Sequence, residues 1–158
     1  MTLLGMNAAH WHIVLVHAPI VGAVFTLATL ALAVSLRSDV LFRLGSGFAI
    51  ACALAAAAAY FAGGEAYELM KPDVEKALVE SHAVIGRAAL IAAVLTGIVA
   101  LVGLLQELQG EKPPAALRWA LTLAVGMVVW VMSWAAHLGG RIRHPEIRGG
   151  EFFLFPTL

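Results

Sequence analysis

Long runs with hardly a charge alternate along this chain with short runs that hold most of its polar residues. Four apolar stretches, at about 11–36, 44–62, 82–105 and 117–138, each supply the roughly 20 helical residues that cross a bilayer core. The breaks between them are polar or helix-breaking: Arg37-Ser38-Asp39, Gly63-Gly64-Glu65, and Gln106 through Pro113-Pro114. Gly139-Gly140 is expected to close the last helix. The pattern predicts an all-α integral membrane four-helix bundle, up-down-up-down, with both termini on one side and a single transmembrane domain over residues 1–158.

The connection at about 65–81 carries Glu65, Glu68, Lys71, Asp73, Glu75, Lys76 and Glu80, with Pro72 suited to a helical first turn. It is expected to form an amphipathic interfacial helix on the same side as the termini. The tail at 141–158 starts with Arg141, Arg143 and Arg148 and turns apolar at Phe152-Phe153-Leu154-Phe155. It is too short to span, and is expected to lie in the interface or dock on a partner. The first stretch lacks a basic start, and its apolar run from Ile13 to Leu36 exceeds a signal-peptide core of about 7–15 residues. It reads as a retained span.

Composition agrees with this picture. The chain is 61% hydrophobic and 13% charged, with mean hydropathy +0.90, too little polar surface for a water-soluble domain of this size. A formal net charge of zero gives no footing for nucleic acid. The lone cysteine, Cys52, has no internal disulfide partner and reads as packing. No P-loop, nucleophile elbow or metalloprotease helix occurs, and no Cys-x-x-Cys-His for covalent haem.

Histidine placement carries the candidate chemistry. His10, His12 and His17 open the first span, His82 opens the third and His137 closes the fourth, so the predicted topology brings all of them to one membrane face. Imidazoles on facing helices of an apolar bundle are ligands for iron, copper or zinc. His10 and His17 lie two turns apart on one helix face, and His12 points elsewhere. His17, inside the first span beside Pro19, is expected to pair with His82 as axial ligands of a b-type haem. His137, with His10 or His12, could supply a second pair for a second haem. Gly22 and Gly86 could admit a flat macrocycle, Arg87 could meet a propionate, and Trp134 with Trp130 could form an aromatic wall. His144 reads as a solvated tail residue.

A repeat of two hairpins is also discernible. His17-Ala18-Pro19-Ile20 matches His82-Ala83-Val84-Ile85, and Gly63-Gly64 matches Gly139-Gly140. That register would set His17 opposite His82 about an axis along the membrane normal.

From Met6-Asn7-Ala8-Ala9-His10-Trp11-His12 to His17-Ala18-Pro19-Ile20-Val21-Gly22 the chain resembles a family of small bacterial four-helix membrane proteins. That family shows a His-x-His run and an Asn-His-Phe-Pro-Ile stretch. Gly64-Glu65-Ala66-Tyr67-Glu68 and Glu80-Ser81-His82 are similar to further segments of it, while Ala18 replaces its usual aromatic and Ala83 an acid. The resemblance implies the four-helix topology, the histidine set and the bacterial cytoplasmic membrane.

Taken together, these features predict a membrane electron-transfer protein with haem b, exchanging electrons with quinol or a cytochrome at one face. A bare copper or zinc site is one alternative. A structural subunit of a larger membrane complex, or a homo-oligomer, is the other. The basic short loops with Arg37, Arg43, Lys112 and Arg118 favour the opposite, histidine-rich face outside, in the periplasm.

Overall fold

The computed structural model describes residues 5–149. Four long helices account for most of them: α1 at Ala8–Ser35, α2 at Asp39–Met70, α3 at Lys76–Leu108 and α4 at Ala115–Arg143. Each is long and apolar enough to cross a membrane, and the chain is a multi-pass membrane protein built as a four-helix bundle.

Contacts between helix ends fix the relative directions. His12 in the first turns of α1 meets Gly63 late in α2, and Leu30 late in α1 meets Gly45 early in α2. His82 near the start of α3 likewise meets Gly139 near the end of α4. Arg43 at the start of α2 pairs with Glu107 at the end of α3. Consecutive helices therefore run in opposite directions.

Local sequence explains the helix starts. Asn7 caps α1 by accepting from the His10 N–H at 3.1 Å, and Ser38 caps α2 by accepting from Leu41 at 3.3 Å. Arg37, at φ 50°, turns the chain between them. Pro19 lies buried within α1, and the helix continues through it.

Three boundary expectations need correction. Gly63-Gly64 does not end the second helix, which continues to Met70, and Gly139-Gly140 lies inside α4. There is no separate interfacial helix at 65–81. Those residues form the last turns of α2, a short 3₁₀ turn at Lys71–Asp73 and the first turns of α3. Pairs such as Lys71–Glu68 and Lys76–Glu80, three and four residues apart, support these polar ends as helix. Pro72 confines the break to a few residues. The apolar tail at Phe152–Phe155 lies outside the described residues.

The core is built from small side chains that let helices approach closely. A Cβ on Gly97 would stand 2.8 Å from the Ala53 methyl, and one on Gly45 2.7 Å from Leu30. Two buried clusters result, one around Ala89, Ala93, Val128 and Met132, the other around Leu30, Phe42, Ala100 and Leu121.

The two hairpins share a pattern of buried positions. Every buried residue of α1, namely Pro19, Ala23, Thr26, Leu30 and Ala33, has a buried counterpart at identical spacing in α3: Ala89, Ala93, Thr96, Ala100 and Gly103. In α2, Gly45, Ser46, Ala49, Cys52, Ala56 and Ala59 correspond in the same way to Leu121, Thr122, Val125, Val128, Met132 and Ala135 of α4. A void of ≈ 10 Å³ sits between equivalent pairs, Ala23 with Ala93, Thr26 with Thr96, Ala49 with Val125 and Cys52 with Val128. It is on the scale of one water and is lined by the two hairpins at matching positions. The repeat exists, but its register equates His12, not His17, with His82.

Candidate functional site

At the bundle end where α1 and α3 begin, two histidines from these helices lie side by side. The rings of His12 and His82 have centroids 6.4 Å apart and planes at 76°. Each is held by the opposite helix of its own hairpin. His12 Nδ1 donates to the carbonyl of Ala59 on α2 at 2.9 Å, and His82 Nδ1 donates to that of Ala135 on α4 at 2.9 Å. A carbonyl can only accept, so each ring carries a proton on Nδ1, and a ring with that proton alone keeps its lone pair on Nε2. A neutral imidazole with Nε2 available is the form that binds a metal ion, and an Nδ1–H bonded to a backbone carbonyl is the usual support behind such a ligand.

Each ring rests on a glycine one turn beyond its carbonyl anchor. A Cβ on Gly63 would lie 3.0 Å from His12 Cε1, and one on Gly139 would lie 3.0 Å from His82 Cε1. The two halves of the site are thus copies of one local design: imidazole, carbonyl, glycine.

The remaining predicted site residues are distributed differently. His17 is exposed on the outer face of α1, its Nδ1 donating to Ile13 O of its own helix at 2.6 Å. Its counterpart in the repeat is Arg87, also exposed, which reaches Tyr60 Oη at 3.4 Å. The expected pairing of His17 with His82 inside the bundle is therefore corrected. His17 lies on a different face of α1 from His12, which the structure turns inward instead. His10 is exposed and tied at 2.8 Å to Asn7 Oδ1, and His137 is half-buried on α4.

Gly22 does not line a pocket. It packs on Cys52, where a Cβ would come to 2.8 Å from Sγ, while a Cβ on Gly86 would have no neighbour within 4 Å. Trp130 and Trp134 stack with centroids 5.5 Å apart. Trp134 Nε1 is buried without a partner, one residue before the carbonyl that anchors His82. Such an orphaned donor is uncommon in a folded protein. Beyond the spans, His144 Nδ1 lies 2.8 Å from Glu146. The Glu146 carboxyl is held below its usual range first by its own backbone N–H and then by His144.

The opposite end of the bundle has no histidine and carries an ion-pair network instead. Arg118 pairs with Asp39 at 2.6 Å and Glu107 at 3.5 Å, and Arg43 pairs with Glu107 at 3.1 Å. Arg118 also covers the Phe42 ring at 4.7 Å. The Glu107 side chain is only 4% exposed, so these charges form a partly buried lock joining α2, α3 and α4.

Residue-level sequence reading missed Ala59 and Ala135 as anchors, and took Gly63 and Gly139 for helix stops. A usable signal was present. Ala23-Val24-Phe25-Thr26 matches Ala93-Val94-Leu95-Thr96, and this match sets the repeat in the register that makes His12 the partner of His82.

No protein-family description, curated protein or solved structure matches the chain. The candidate site therefore rests on its own chemistry.

Proposed function

We propose that this protein is a small b-type cytochrome of the membrane, with His12 and His82 as the axial ligands in place of the pair expected from the sequence. The observation that carries this reading is the 6.4 Å separation of the two rings. Two imidazoles bound to opposite sides of one metal ion, each nitrogen at about 2 Å, put their ring centres about 6 Å apart. The fixed Nδ1–H tautomers turn the Nε2 lone pairs into the available donors.

The donor count favours haem over a bare ion. Among the described residues no group of three or more His, Cys, Asp or Glu side chains could hold a metal, whereas protein zinc sites draw on three or four. Two imidazoles match a haem, whose macrocycle brings the other four donors. Bound there, haem would supply one-electron chemistry at a potential set by its ligands and by burial. The chain's own contribution is to present two neutral imidazoles from diagonal helices, keep water out with apolar walls, and offer the unpartnered Trp134 N–H nearby.

Both ligands sit at one end of the bundle, so electron exchange with quinol or a cytochrome belongs at that face. Arg43, Lys112 and Arg118 cluster at the other end. Lys71, Lys76, Arg87, Arg141, Arg143 and Arg148 lie toward the histidine end, so a bacterial cytoplasmic membrane is proposed without a sidedness. Supplied with haem, the purified protein should show a low-spin Soret and α-band. His12→Ala and His82→Ala should each lose it, and His17→Ala should keep it. A wild-type protein without a Soret band would overturn the proposal. A His17→Ala variant that alone loses the spectrum would overturn the ligand assignment.

A further inference from the structure

We propose that Gly63 and Gly139 are positioning residues for the two imidazoles, one for each half of the site. This rests on the cytochrome reading for its consequence in haem binding, but the positioning itself is a property of the protein alone.

The argument starts from the shared carbonyl. In an α-helix the carbonyl of residue i accepts from the N–H four residues on, so Ala59 O serves Gly63, and Ala135 O serves Gly139. His12 and His82 add a second donor to these same carbonyls, each at 2.9 Å. To reach it, each ring must pass over the following turn, where residue 63 or 139 stands. The Cε1, Nδ1 and Nε2 atoms of His12 would lie 3.0, 3.3 and 3.7 Å from a Cβ at Gly63, and those of His82 3.0, 3.2 and 3.7 Å from one at Gly139. A methyl in either place would sit against the Cε1 edge of the ring. The imidazole would have to give by a few tenths of an ångström, lengthening its Nδ1 hydrogen bond and shifting it relative to the partner ring.

Helix termination does not explain these glycines, since both lie inside continuous helices. Backbone conformation does not explain them either, because neither has positive φ. Their neighbour makes the comparison direct. Gly64 belongs to the same doublet in the same helix, yet a Cβ there would meet nothing within 4 Å. Gly→Ala inside a helix ordinarily favours it by about 0.5–1 kcal/mol. A role in helix propensity alone would therefore make Gly63→Ala and Gly64→Ala equally benign.

The test compares Gly63→Ala, Gly139→Ala and Gly64→Ala in full-length protein, with two readouts. In haem-free protein, ¹⁵N NMR of the histidine rings reports the hydrogen-bonded Nδ1–H of each imidazole. Gly63→Ala should shift and weaken that signature for His12 only, Gly139→Ala for His82 only, and Gly64→Ala for neither. In haem titrations the first two should bind about 10–100-fold more weakly, the usual effect of removing support from behind a metal ligand, with high-spin character; Gly64→Ala should match wild type. Intact Nδ1–H signatures in Gly63→Ala and Gly139→Ala would overturn the proposal. Wild type that fails to bind haem would remove the cytochrome reading while the NMR comparison still decides the positioning role. If Gly63→Ala does not fold, adding His12→Ala should restore folding by removing the clashing ring. A double variant that stays unfolded would overturn the proposal.

Discussion

At the residue scale, the features that matter are contacts a few tenths of an ångström wide. Gly22 illustrates this in the core: a Cβ there would stand 2.8 Å from Cys52 Sγ, a buried side chain of one rotatable bond. Gly22→Ala should destabilise the protein by about 1–3 kcal/mol through overpacking. Cys52→Ala in the same chain should recover most of that loss, a coupling that a double-mutant cycle of denaturant unfolding measures. Independent, additive effects would contradict the contact. His144, exposed and paired only with Glu146 beyond the spans, should be dispensable. His144→Ala should leave both the absorption spectrum and the unfolding midpoint unchanged, because exposed ion pairs contribute little.

At the scale of elements, close helix approach and one buried charge network do most of the holding. Without a strong hydrophobic force between helices in lipid, packing of small residues decides which faces meet. Gly97 packs against Ala53 where α2 and α3 meet. Gly97→Leu should force those helices apart and lower resistance to denaturant, while Gly47→Leu, which would meet open space, should not. At the loop end, Glu107 is buried between Arg43 and Arg118. Arg118→Ala would leave a largely desolvated carboxylate with one exposed partner, and breaking such a pair costs about 3–5 kcal/mol. Loss of this size should survive high salt, since partly buried pairs are screened far less than surface ones. A variant as stable as wild type would show that Glu107 re-pairs elsewhere.

At the scale of the whole molecule, the two hairpins form a bundle with unlike ends. Imidazoles occupy the end where α1 and α3 begin, and the ion-pair lock occupies the other. Antiparallel neighbours place Val74 and His144 at one end of the bundle and Arg37 and Glu111 at the other. Single cysteines introduced at these positions into a Cys52→Ala background should label from opposite sides with an impermeant thiol reagent. Labelling of all four from one side would refute the bundle's placement across a membrane.

The sequence by itself determined the number of helices, their apolar character and the end of the molecule that holds the histidines, because these follow from runs of side chains and their spacing to the nearest break. It also carried the repeat, although matching His17-Ala18-Pro19-Ile20 put that repeat in the wrong register. Helix boundaries were harder to read, since glycine doublets break helices in water, yet Gly63-Gly64 and Gly139-Gly140 lie within long membrane helices. Only the tertiary structure decided which histidine turns inward. Sequence reasoning favoured His17 over His12 as the ligand on this helix, and the difference arises from what stands opposite. His12 meets a carbonyl and a bare glycine on α2, whereas His17 has no contact of that kind and closes on its own Ile13 carbonyl. That selection depends on residues some fifty positions away, and it is set by the rotation and separation of packed helices, which no local pattern specifies.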